Sequence, residues 1–129
     1  MNPIFKAFLI CEEIRVDERD SYSLLKTYNR IYADRFPLVN PRMVIYLLWY
    51  GGQGKHRIKI SLLNPERNNT LIEREAVTDL DPVTEQIHCV CYPFITFPYP
   101  GTYWWKITMD DDEIGYFPLH IEPKSYLNR

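Results

Sequence analysis

Phe97-Pro98-Tyr99-Pro100-Gly101-Thr102-Tyr103-Trp104-Trp105-Lys106-Ile107-Thr108-Met109, then Asp110-Asp111-Asp112-Glu113, then Ile114-Gly115-Tyr116-Phe117-Pro118-Leu119-His120-Ile121, reads as turn, strand, acidic turn, strand. Strand side chains alternate between two faces. Tyr103, Trp105, Ile107 and Met109 therefore share one face, opposite Thr102, Trp104, Lys106 and Thr108. In the following strand Phe117, Leu119 and Ile121 lie opposite Tyr116, Pro118 and His120. The apolar faces line up only across a connection with an odd number of residues. A three-residue loop at Asp111-Asp112-Glu113 pairs Ile107 with Phe117, Trp105 with Leu119 and Tyr103 with Ile121. A two-residue loop would exchange core and solvent faces, so the odd loop is expected.

The same register stacks Trp104 on His120, Lys106 on Pro118 and Thr108 on Tyr116 across the outer face. Amphipathic aromatics turned outward are favoured at interaction surfaces. Trp104, Lys106, Tyr116, Pro118 and His120 are thus the candidate binding residues. The structural alternative is that a loop, or the tail from Pro123 to Arg129, folds over them.

Working outward, Ile4 to Val16 reads as a strand bent near Glu12-Glu13, and Tyr22 to Tyr32 as a second strand, with a helix as its alternative. Phe36-Pro37 to Asn40-Pro41 is a Pro-bounded crossing segment, because proline pushes the preceding residue toward extended shapes. Met43 to Tyr50 is apolar at every position, which predicts a strand covered on both faces or meeting a partner with the second. Lys55 to Leu63 alternates cleanly, with Ile58, Ile60 and Leu62 on one side. Thr70 to Val77 reads as an edge strand. Gln86 to Phe97 contains Pro93, which marks it as an edge strand or one with a bulge. About eight strands separated by turn signals predict an all-β fold, an antiparallel β-sandwich of immunoglobulin-like or C2-like type, as one domain over residues 1–129.

Composition narrows the function. Ten Tyr and ten Pro against five Gly suit a β protein and exclude a linker or collagen-like chain. Seventeen acids and fifteen bases give a net charge of −2, so no basic excess supports nucleic-acid binding. Lys55-His56-Arg57 with Lys59 reads as a solvated strand edge that deters pairing. No secretory signal pattern is found at the start, and the longest apolar run falls far short of the ~18 residues of a membrane span. Three Cys without a signal peptide are not a disulfide framework. A cytoplasmic protein with no membrane partner is expected.

The remaining clusters offer little chemistry. His88-Cys89-x-Cys91 would split its ligands between two strand faces and lacks a second ligand pair, although Cys11 could approach. Buried thiols are the expected reading. Asp110 to Glu113 is a single acidic loop and reads as a solvated turn rather than a calcium site. His56, His88 and His120 stand in no nucleophile, phosphate-loop or zinc-protease motif. No cofactor, metal or catalytic residue is expected.

Ala7-Phe8-Leu9-Ile10-Cys11-Glu12-Glu13, Tyr28-Asn29-Arg30-Ile31, Phe36-Pro37, Ile58 to Pro65, Phe97 to Tyr103 and Pro118-Leu119-His120-Ile121 together resemble a family of small uncharacterised bacterial domains thought to be β-sandwiches. The resemblance covers most of the chain and implies a fold but no activity. It also implies glycine near the first turn, where this chain has Asp20-Ser21 and Lys26.

The expected function is a non-enzymatic, cytoplasmic interaction or assembly module that binds a protein partner or itself, with a two-fold homodimer as the simplest assembly. The alternative is a ligand-binding module, for carbohydrate among others, that stacks its ligand on Trp104 and Tyr116.

Overall fold

The computed structural model describes residues 3–125. Nine strands form two facing sheets: β1 (Ile4–Val16), β2 (Tyr22–Thr27), β3 (Arg30–Ala33), β4 (Leu38–Tyr50), β5 (Gly54–Leu63), β6 (Thr70–Leu80), β7 (Glu85–Phe97), β8 (Gly101–Met109) and β9 (Asp112–Pro123). Sheet A has the order β2-β1-β4-β7 and sheet B the order β3-β9-β8-β5-β6. The fold is the all-β sandwich that the alternation predicts.

The Tyr22–Tyr32 segment is two strands rather than one. The chain crosses from sheet A to sheet B at Tyr28-Asn29: the Tyr28 amide donates to the Ile10 carbonyl in β1, and the His120 amide of β9 donates to the Asn29 carbonyl. Because the chain changes sheets without reversing, β3 runs parallel to β9, pairing Arg30 with His120 through Ala33 with Pro123. This is the one parallel pair among otherwise antiparallel ladders of the described residues.

The wholly apolar segment Met43 to Tyr50 lies in β4, between β1 and β7. Met43, Ile45, Leu47 and Trp49 are fully buried between the sheets. They meet Trp105, Ile107 and Leu119 of sheet B in one core. β7 is an edge strand, as Pro93 requires. At Phe94 its backbone turns to φ 53°, so Tyr92 and Ile95, three residues apart, both face the core. Asp20 and Lys26, where glycine is expected, adopt φ of 59° and 57°. Glycine would enter that left-handed region without strain.

The terminal hairpin keeps its predicted faces but not its predicted register. Tyr103, Trp105, Ile107 and Met109 are buried, as are Leu119 and Ile121. The turn has two residues, Asp110-Asp111, at φ 50° and 69°, closed by the pair Met109–Asp112. Thr108 pairs with Glu113 and Ile107 with Gly115, so Ile114 is an unpaired bulge residue. That extra residue restores the odd count. The pairs sit two residues from the expected ones: Trp105 faces Phe117 instead of Leu119, Trp104 faces Pro118 instead of His120, and Lys106 faces Tyr116 instead of Pro118. Asp110 and Asp111 suit φ > 0 because short polar side chains tolerate the left-handed region.

Candidate functional site

Trp104, Lys106, Tyr116, Pro118 and His120 do come together on the outer face of sheet B, each half-buried. Residues 126–129 of the tail lie outside the described residues, and Trp104 and Tyr116 are covered by the β5–β6 turn. Buried Asn64 organises it: its Oδ1 accepts the amides of Asn68 and Asn69, each at 3.0 Å, and its Nδ2 donates to Asn68 Oδ1 at 2.8 Å. The turn holds Arg67 at φ 60° and lays its guanidinium 4.0 Å from the Trp104 ring centroid and 4.8 Å from that of Tyr116. Around this stack the Tyr116 hydroxyl donates to Glu113 at 3.1 Å, and Lys106 lies 3.3 Å from Glu113. The Tyr116 hydrogen bond first, and Lys106 second, hold the Glu113 carboxyl below its usual range. Thr102 Oγ1 is 2.9 Å from His120 Nδ1. The ring face that a sugar or a partner would take is filled from within by Arg67, which sequence reasoning missed because nothing local ties residue 67 to residue 104.

The rest of this face is a lattice of ion pairs. Lys59 lies near Glu73 and Glu75, and Arg57 bridges Glu75 and Asp111. The basic cluster on β5 and the acidic turn, read separately as solvated, are partners. Asp110 Oδ1 accepts the Arg57 amide at 2.9 Å, and its Oδ2 lies 2.5 Å from His56 Nδ1. His56 Nε2 faces the Gln53 carbonyl at 2.9 Å. With an acceptor at each nitrogen the imidazolium is favoured, so His56 titrates above its ordinary 6.5, chiefly through Asp110. Asp110 titrates below its ordinary 3.8, through the Arg57 amide first and then His56.

The sign of the stability effect follows. The His56 contribution is present below pH ~6.5 and is lost as pH rises through the raised value, while that of Asp110 is present above pH ~3.8 and is lost as pH falls through the lowered one. Asp110→Asn keeps the turn conformation and an oxygen for the Arg57 amide. In this variant the His56 pKa measured by NMR should return toward 6.5. The urea midpoint gap from the parent should be wide at pH 5–6 and narrow at pH 9. A gap independent of pH would refute the pairing.

The outer face of sheet A is different. Val44, Tyr46, Leu48 and Tyr50 alternate outward along β4, flanked by Leu9 and Ala7 on β1 and by Ile87, Cys89 and Cys91 on β7. Leu9 is 40% exposed, and Tyr50 38%. The β1–β2 hairpin curls onto one end, where Ile14, Val16 and Tyr22 wall a trough of about 320 Å³ floored by Val44, Cys89 and Cys91. Tyr22 meets Tyr46 edge-on at 6.3 Å. The ion pair Lys6–Glu85, at 2.6 Å, stands at the rim, where Lys6 also lies over the Tyr50 ring. The unbroken apolar run of β4 was the sequence signal for this face.

Cys11 is a buried free thiol, but Cys89 and Cys91, expected to be buried, are exposed free thiols, because they alternate onto the outer face of the edge strand β7. Desolvation pushes Cys11 and Cys89 upward, away from the reactive thiolate. His88 points to the opposite side of β7, where burial lowers its pKa. Among the described residues no three His, Cys, Asp or Glu side chains are placed to hold a metal ion. A further cleft of about 870 Å³ opens between the sheets beside Tyr28. Its Arg15, Lys26, Arg30 and Lys124 all meet carboxylates within the chain. No helix of the described residues is long and apolar enough to cross a membrane.

A search of curated proteins gives no match. A family of unknown function, DUF6941, matches residues 6–122, from near the start of β1 to near the end of β9, and the chain belongs to that family.

Proposed function

We propose that this protein is a non-enzymatic, cytoplasmic protein-interaction module that works through the outer face of sheet A. The observation that carries the reading is the contrast between its two faces. Sheet B turns out ion pairs and a stack already closed by Arg67. Sheet A turns out Leu9, Tyr46, Leu48, Ile87 and two thiols, beside the end at Val44 that the β1–β2 hairpin covers. A contiguous apolar patch with a charged rim marks a docking surface. Free thiols suit a reducing compartment. Two of the three histidines are engaged structurally, His56 by Asp110 and Gln53 and His120 by Thr102, while His88 is half-buried with no hydrogen-bond partner for its Nδ1 among the described residues.

The test compares two variants in a native-host pull-down. Leu9→Lys puts a charge beside Tyr46 at a position exposed enough to spare the fold, and it should abolish capture of the parent's partner. Trp104→Ala should retain that capture. The opposite pattern would return the interaction surface to sheet B and overturn this reading.

A further inference from the structure

β7 closes sheet A at its outer edge and, among the described residues, is hydrogen-bonded to β4 alone. Open edges carry unpaired amides and carbonyls, and soluble proteins guard them with charge, proline or shortness. The other edges here are guarded. β6 carries Glu73-Arg74-Glu75 at its middle, β2 has six residues, and β3 has four. β7 has thirteen residues, and Gln86-Ile87-His88-Cys89-Val90-Cys91-Tyr92 contains no Asp, Glu, Lys or Arg. Its guards, Glu85 and Pro93, stand at the two ends of that run.

We propose that the partner on this edge is a second copy of the chain, paired antiparallel through β7 about a two-fold axis at Cys89, so that two four-stranded sheets become one of eight. The inference rests on the reading of sheet A as the interaction surface and adds to it the open edge of that sheet.

The register follows from the strand itself. An antiparallel pair related by a two-fold axis keeps each sheet face continuous, so residues directly opposite must point to the same side, and the axis must pass through a residue pair. Pro93 has no amide to donate, which ends the ladder at Tyr92. Glu85 ends it at the other side, because a charge belongs at the rim. The centre of Gln86–Tyr92 is Cys89. Ile87 then faces the partner's Cys91, His88 faces the partner's Val90, and Cys89 faces the partner's Cys89. The outer-face side chains Ile87, Cys89 and Cys91 extend the apolar surface across the junction. His88 and Val90, half-buried on the core side, gain cover from each other. No like charges meet in this ladder. On β6, pairing about Arg74 would set Glu73 against the partner's Glu75, which is unfavourable.

Directly opposite residues of an antiparallel pair have Cα atoms about 4.5–5.5 Å apart, within disulfide range. Oxidation of the full chain with a copper–phenanthroline catalyst should therefore give a covalent dimer in the parent and in Cys91→Ser, and none in Cys89→Ser. Cys89 and Cys91 are both exposed, so chance collisions would crosslink through either. Light scattering in reducing buffer should show a dimer for the parent and a monomer for Cys89→Lys, with unchanged circular dichroism. A parent that stays monomeric at high concentration, or crosslinking that survives in Cys89→Ser, overturns the proposal. If a monomeric parent still captures a partner in a Leu9-dependent way, the edge pairing fails alone. If Leu9→Lys has no effect while Cys89 crosslinks, the reading of the whole face fails and the edge contact stands.

Discussion

Replacing Trp105 with alanine is expected to cost about 3–5 kcal/mol of folding stability, and replacing its neighbour Trp104 about 1–2 kcal/mol. The two residues are adjacent in β8 and chemically identical, so the difference measures position alone. Trp105 is fully buried, packs on Tyr92 with ring centroids 5.1 Å apart, and sits opposite Phe117 and beside Leu62 in its own sheet. Its removal leaves a cavity at the middle of the core. Trp104 is half-buried against Pro118 and Leu63 and loses mainly the Arg67 stack. For a domain whose total stability is of the order of 5–15 kcal/mol, the first change is severe and the second tolerable. Trp105→Phe should cost much less than Trp105→Ala, because the buried indole Nε1 has no hydrogen-bond partner among the described residues and disappears with the ring exchange. Urea unfolding of the three variants checks this. Equal losses for Trp104→Ala and Trp105→Ala would contradict the assignment of faces.

That contrast was readable from alternation alone, because burial acts on every second residue and leaves a period in the chain. The same logic identified β5, and the lack of alternation in Met43 to Tyr50 predicted a strand covered on both faces or meeting a partner with the second; its place between β1 and β7 came from the structure. Its limit shows at Ile114. Parity demanded an odd count between the apolar faces, and the chain meets it with a two-residue turn plus a bulge instead of a three-residue loop. Both solutions satisfy the core equally, and what separates them is the fit of Asp110 and Asp111 to positive φ and the clip of Asp110 onto β5. That clip joins residues more than fifty apart in sequence, so no local pattern encodes it. The parallel pairing of β3 on β9 escaped for the same reason, since four residues carry no signature of the strand they will meet. Of the candidate site, the common face of Trp104, Lys106, Tyr116, Pro118 and His120 was legible. Its closure by Arg67 was not, because a long cation reaching from a turn leaves no periodic trace. The apolar outer face of sheet A was legible as a possibility in Met43 to Tyr50, but choosing it over sheet B required knowing which face is already covered.

Gly101→Ala is expected to cost about 2–4 kcal/mol, through a contact that also positions the Arg67 stack. Pro100-Gly101 reads as a turn in sequence, and Gly101 adopts φ 154°, where side chains are rarely found. A Cβ there would lie 2.7 Å from Pro65 Cγ and 3.3 Å from Pro65 Cβ. The proline ring cannot swing aside, so the β5–β6 turn must shift. That turn begins at Asn64 and carries Arg67 onto Trp104 and Tyr116. On the other side of Gly101, the Tyr103 hydroxyl donates to the Tyr99 carbonyl at 2.6 Å and fixes the incoming strand, so β8 cannot yield instead. The strain should appear as a change in Trp104 fluorescence as well as in stability. Pro65→Ala in the same chain removes the Cγ contact and leaves the backbone cost, so the double variant should be less destabilised than the sum of the two single changes. Strict additivity would mean that the φ of residue 101, rather than its approach to Pro65, sets the penalty. It would also mean that the turn carrying Arg67 keeps its place without the glycine.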